Sequence, residues 1–117
     1  MLVDKVFQED GTMECLYKSS NILMSEYNEK TQKLIVTFNY GGVYAYHNVS
    51  YKDYLRFEAD ESQGKTFNKY IKIHKTDNLG KTDVSVMKER LERLLNNRKE
   101  VLKENKINEN DNQTPMG

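Results

Sequence analysis

From Ile22 to Tyr46 apolar residues alternate with polar ones, and this alternation constrains the fold of the chain more than any other feature. Ile22 and Met24, then Tyr27, are followed by Leu34, Val36 and Phe38, and by Val43 or Tyr44 with Tyr46. A period of two rich in β-branched and aromatic side chains belongs to strands, whose side chains point to opposite faces in turn. Breaks at Asn28-Glu29-Lys30 and at Tyr40-Gly41-Gly42 read as turns, so the segment predicts a three-strand antiparallel meander. Leu34, Val36 and Phe38 fall on one face, with Ile35 and Thr37 on the other. A sheet this small is not stable alone, so its apolar face needs a cover.

The residues that follow can supply one. Ser50 is placed to cap a helix in which Tyr51, Tyr54, Leu55 and Glu58 take i, i+3, i+4, i+7 spacing, with Asp53 in the first turn where the helix dipole favours an anion. Gly64 ends or interrupts this run, and a second helical segment puts Phe67, Tyr70 and Ile71 on one face. Upstream, Asp10-Gly11 between two apolar runs signals a hairpin or arm. Beyond Thr82-Asp83, Met87, Leu91, Leu94 and Val101 keep four- and three-residue steps, with Arg98 interrupting; such a helix suits docking on its own domain or pairing with a second copy. The expected fold is α+β: a small antiparallel β-meander covered by one or two short helices, with a charged amphipathic C-terminal helix. The expected divisions are an arm over 1–16, a domain over 17–76, a linker and helix over 77–106, and a disordered tail over 107–117.

Charge and cysteine content narrow the function classes. Eighteen basic and eighteen acidic side chains cancel, which removes the long-range field that draws proteins to duplex DNA or anionic membranes. With Cys15 as the sole cysteine, neither an intrachain disulfide nor a cysteine-based zinc site can form within one copy. No stretch approaches the roughly 20 apolar residues of a membrane span, and the first residues lack a secretory pattern, so a cytoplasmic location without a membrane partner is expected.

Familiar catalytic patterns are missing. His47 and His74 have no metal-ligand spacing, and no Gly-x-Ser-x-Gly elbow occurs. Gly64-Lys65-Thr66 resembles the end of a phosphate loop, but Ala59 stands where its first glycine is required. The expectation is a protein that is not an enzyme, with no cofactor and no metal. Binding chemistry is better represented. Lys65, Lys69, Lys72 and Lys75 would line one helical face if the helix persists, beside Phe67, Tyr70 and Ile71. Lysines hold phosphates, and Tyr44 and Tyr46, side by side on one strand face, would either stack bases or fill the core.

The ordered series Ser19-Ser20-Asn21-Ile22, Gly42-Val43-Tyr44-Ala45-Tyr46, and Ser62-x-Gly64-x-x-Phe67-Asn68-x-x-Ile71-Lys72 resembles the KTSC domain over roughly residues 17–75. That family is named for its occurrence at the C-terminus of some lysyl-tRNA synthetases, and it also occurs as small stand-alone proteins of bacteria and phages. The resemblance implies a suggested role in RNA binding and points to Tyr44, Tyr46, Phe67 and Asn68, with Lys72 at a usually basic position. His74-Lys75 depart from the pattern, and the N-terminal arm and C-terminal helix lie outside it. The resulting expectation is a non-catalytic module for RNA or a nucleotide-like ligand, held by Tyr44, Tyr46, Phe67, Asn68, Lys69 and Lys72. Its rivals are a phage counter-defence protein that sequesters a nucleotide immune signal in the host cytoplasm, as an oligomer joined through residues 84–104, and an adaptor that contacts a protein partner through the C-terminal helix.

Overall fold

In the computed structural model, which describes residues 1–113 with side chains as far as residue 99, the alternating segment forms β3 (Ile22–Asn28), β4 (Lys33–Phe38) and β5 (Gly42–Tyr46). The N-terminal hairpin supplies β1 (Leu2–Phe7) and β2 (Met13–Tyr17), turning at Gly11 with a φ of +88° that a side chain would strain. A sixth strand, β6 (Thr76–Lys81), lies in the segment expected to be linker. All its residues are exposed, so no apolar alternation marks it; its place rests on backbone pairing with β5. The sheet is thus a six-strand antiparallel meander in chain order, β1 to β6, twice the strand number read from the alternation.

Helices α1 (Tyr51–Ala59) and α2 (Gln63–Thr66), continued by a single π turn (Phe67–Ile71), cover one face. Ser50 caps α1, its hydroxyl accepting from the Asp53 amide at 3.2 Å. Under these helices Tyr17, Ile22, Tyr27, Leu34, Val36 and Tyr46 pack against Tyr54, Phe57, Phe67 and Ile71. Burying tyrosine demands partners for its hydroxyl. Tyr17 meets the Ser25 hydroxyl at 2.7 Å, Tyr27 donates to the Val49 carbonyl at 2.7 Å, and Tyr54 meets the Cys15 thiol at 3.3 Å. The Tyr27 and Tyr54 rings stack at 4.2 Å between centroids.

The other face carries α3 (Ser85–Gln113). A shift of register between Ile22 and Met24 brings both Leu23 and Met24 to this side, where they and Leu16 meet Val84, Met87, Leu91 and Leu94. Arg90 pairs with Asp4 at 2.5 Å, and Arg98 donates to the Val3 carbonyl. Of the two roles open to this helix from its spacing, docking on its own domain is the one seen; the Val101 side chain lies outside the described residues. Helix continues through 107–113, where a disordered tail is expected, and 114–117 lie outside the described residues. Among the described residues no helix is long and apolar enough to cross a membrane.

Gln63 joins the helical layer to itself. Fully buried, its amide donates to the carbonyls of Phe57 at 3.4 Å, Glu58 at 3.3 Å and Asp60 at 2.5 Å, which the last turn of α1 leaves without helical partners. Gln63→Ala strands these carbonyls and should cost about 1–3 kcal/mol in denaturant unfolding; an unchanged midpoint would refute this role.

Glu26 lies directly opposite Glu14 on the β2–β3 ladder, partly buried. Burial first, and the Glu14 charge second, raise its carboxyl above the ordinary 4.5. Ionising it therefore costs more in the folded chain than in the unfolded one. That penalty is full above the folded pKa and disappears as pH falls through it toward 4.5. Glu26→Gln should raise the Tm at pH 7, with the gain shrinking as pH approaches 4.5; a gain that did not change with pH would count against this account.

Candidate functional site

Where the entry to β3, the β4–β5 turn and α2 converge, they leave an open pocket of about 410 Å³. Its first lip is Ser20-Asn21-Ile22. The Ser19 hydroxyl accepts from the amides of Asn21 and Ile22, each at 3.3 Å, a local bond that bends the chain into the strand. The second lip is Phe38-Asn39-Tyr40, tied to the first by the Asn39 side-chain amide on the Ser19 carbonyl and the Asn39 backbone amide on the Asn21 carbonyl, both at 2.8 Å. The third side comes from Gly64, Phe67 and Asn68.

The aromatic walls are cross-braced. Phe67 stands edge-on to Phe38 at 5.5 Å and to Tyr46 at 5.3 Å, and Phe38 stacks with Tyr40 at 5.9 Å. The β4–β5 turn needs Gly41, whose φ is +103° and where a Cβ would lie 2.7 Å from the Thr82 carbonyl oxygen. The turn is also tied down, since the Thr82 amide donates to the Gly41 carbonyl at 2.9 Å. At Phe67 the helix widens into its π turn, the Lys72 amide reaching back five residues to the Phe67 carbonyl at 2.9 Å. Phe67 and Ile71, four residues apart on one helical face, are both buried, while Asn68 lines the opening.

The residues singled out from sequence separate in this geometry. Phe67 and Asn68 line the pocket. Tyr46 is only 5 % exposed, and burial pushes its phenol up to about 12, so it is core rather than platform. Tyr44 lies half-buried on the same face, its hydroxyl 3.1 Å from that of Tyr40. The four lysines do not share a helical face, because the helix ends at Ile71, with Lys72 in the turn that follows it and Lys75 just before β6. Lys69 has its ammonium 5.2 Å from the Tyr70 ring, and neither Lys69 nor Lys72 lines the pocket.

Tyr40 is the residue that sequence reasoning passed over. It is 62 % exposed and sits in what reads as an ordinary turn; the available signal was a large aromatic next to two glycines. Asn39 was missed for the same reason.

No charged side chain among the described residues lines the pocket. Among the described residues the Asn21 and Asn68 carboxamides make no hydrogen bond, and no three His, Cys, Asp or Glu side chains are grouped to hold a metal. The arrangement offers flat apolar walls with adjacent amide donors and acceptors.

No curated protein matches this sequence. Residues 18–74 match the family model described as the KTSC domain, a span that includes the three sides of the pocket. Three of its β-strands, both short helices and the π turn fall inside that span, while β1–β2, β6 and α3 lie outside it. By this match residues 18–74 carry the KTSC domain, which in this protein is extended by strands on both edges of its sheet and backed by α3.

Proposed function

We propose that this chain is a non-catalytic binding module that takes RNA or a nucleotide-like ligand in the pocket between Asn21, Tyr40 and Asn68. One observation carries the reading: the rings of Phe38, Tyr40 and Phe67 share an uncharged pocket with unengaged carboxamides. Stacking on an aromatic ring contributes about 1–3 kcal/mol per base, and a carboxamide presents the donor and acceptor that base edges require. The lining supplies neither a titrating acid–base pair nor a nucleophile with its base, which favours binding over turnover.

With zero net charge, attraction to phosphate comes only from local cations such as Lys81, whose ammonium lies 5.9 Å from the Tyr40 ring centre. A shallow dependence of affinity on salt follows. The pocket's 410 Å³ also suits a single nucleotide rather than a long strand, and this favours sequestration of a small nucleotide signal as the second reading. The adaptor reading is weaker, since Met87, Leu91 and Leu94 of α3 are engaged with its own sheet.

Gly64 offers a clean test. It sits in α2 without a left-handed φ, and a Cβ there would make an ordinary 3.7 Å contact with the Asn21 side-chain nitrogen, at the pocket. Gly64→Ala should stabilise the fold by about 0.4–1 kcal/mol while narrowing the site. Calorimetry with short single-stranded RNAs and mononucleotides at two salt concentrations should show saturable binding that weakens in Gly64→Ala and in Asn68→Ala. Wild-type protein that binds none of them at millimolar concentration would remove the proposal.

A further inference from the structure

Exposed aromatic side chains usually sample several orientations, and a ligand must then pay to order them. Tyr40 is exposed but held. Its ring stacks on Phe38 with an angle of 23° between planes, and its hydroxyl meets the Tyr44 hydroxyl at 3.1 Å. The ring lies across the first residue of β5, Gly42, where a Cβ would fall 2.3 Å from the Tyr40 hydroxyl oxygen and 2.5 Å from two ring carbons.

Nothing in the backbone asks for glycine at 42. Its φ is not left-handed, unlike those of Gly11, Gly41 and Gly80, and glycine inside a strand weakens it. What the missing side chain provides is the seat of the Tyr40 ring. A Cβ would press on the far end of a side chain, which moves easily, rather than on backbone. Gly42→Ala should therefore leave the sheet intact and displace the ring.

We infer that Tyr40 is the stacking wall for a planar, uncharged ring, a nucleobase that enters base-first, and that Gly42 is the positioning residue that seats it. This rests on the reading that the pocket takes a nucleotide-like ligand. Base-first entry follows from the lining: the aromatic rings and the amides of Asn21 and Asn68 satisfy a base, whereas a phosphate pushed among them would meet no cation and lose its hydration. A wall fixed before the ligand arrives also lowers the ordering cost of binding.

The test is calorimetry of the four ribonucleosides and their 5′-monophosphates against wild type, Tyr40→Phe, Tyr40→Ala, Gly42→Ala and the Tyr40→Ala/Gly42→Ala double variant, with thermal unfolding of each. The tightest nucleoside should bind within about threefold of its monophosphate, and Tyr40→Phe should stay close to wild type. Tyr40→Ala should lose about tenfold or more, the scale of one stacked base. Gly42→Ala should also weaken binding, without a fall in Tm. Because Gly42 acts through Tyr40, the double variant should lose no more than Tyr40→Ala alone.

Wild-type affinity in Tyr40→Ala or Gly42→Ala, full additivity in the double variant, or binding of monophosphates without nucleosides would each overturn the inference while leaving nucleotide binding in place. Failure of wild type to bind any nucleoside, nucleotide or short RNA would overturn it together with the reading beneath it.

Discussion

The edge-on insertion of Phe67 between Phe38 and Tyr46 is the contact on which the pocket depends. It brings the π turn against β4 and β5, and with it Gly64 and Asn68 against the Ser20–Ile22 lip. Phe67 and Ile71, four residues apart, share the buried face as they would in an α-helix, and the five-residue closure from the Lys72 amide to the Phe67 carbonyl ends the helix there with Asn68 at the opening. Gln63, just upstream, caps the end of α1 from inside the protein.

A core this rich in tyrosine is paired as a polar core must be. Tyr17, Tyr27 and Tyr54 are fully buried, and each hydroxyl has a partner: Tyr17 on the neighbouring strand, Tyr27 on the loop to α1, and Tyr54 on the strand beneath its helix. Burial raises the pKa of all three phenols, so each stays neutral across the physiological range. Their hydrogen bonds fix which strand faces which helix, because a slip of one residue would strand a phenol in an apolar layer. The same principle accounts for Tyr44 at the margin, where the core's last hydroxyl bond is made outward to Tyr40. Core and candidate site are thereby joined through one pair of phenols.

The strands at 22–46 were legible because half-buried strands write their faces into an alternation, and α1 was legible from Ser50 and its spaced apolar residues. β6 was not, since a strand exposed along its whole length carries no apolar signal and forms because β5 offers an unpaired backbone edge. The lysine ridge failed for a related reason: a projection of Lys65 to Lys75 assumes α-helical spacing, and the chain departs from it at Phe67. Tyr44 and Tyr46 share a face by their spacing alone, yet spacing does not say that α1 and the π turn cover that face while α3 takes the other.

By itself the sequence determined the α+β class, the antiparallel meander at its centre, the helix capped by Ser50, the absence of a net field, and the family of residues 18–74. All of these follow from local periodicity, composition or ordered residue identity. The tertiary structure decided which tyrosines are core and which one is wall, that Asn21, Asn39 and Asn68 converge, that α3 backs its own sheet, and that the expected lysines stand outside the pocket. Those facts depend on how the two faces of the sheet are shared among three helical elements, a competition for buried area between segments distant in sequence that no local pattern records.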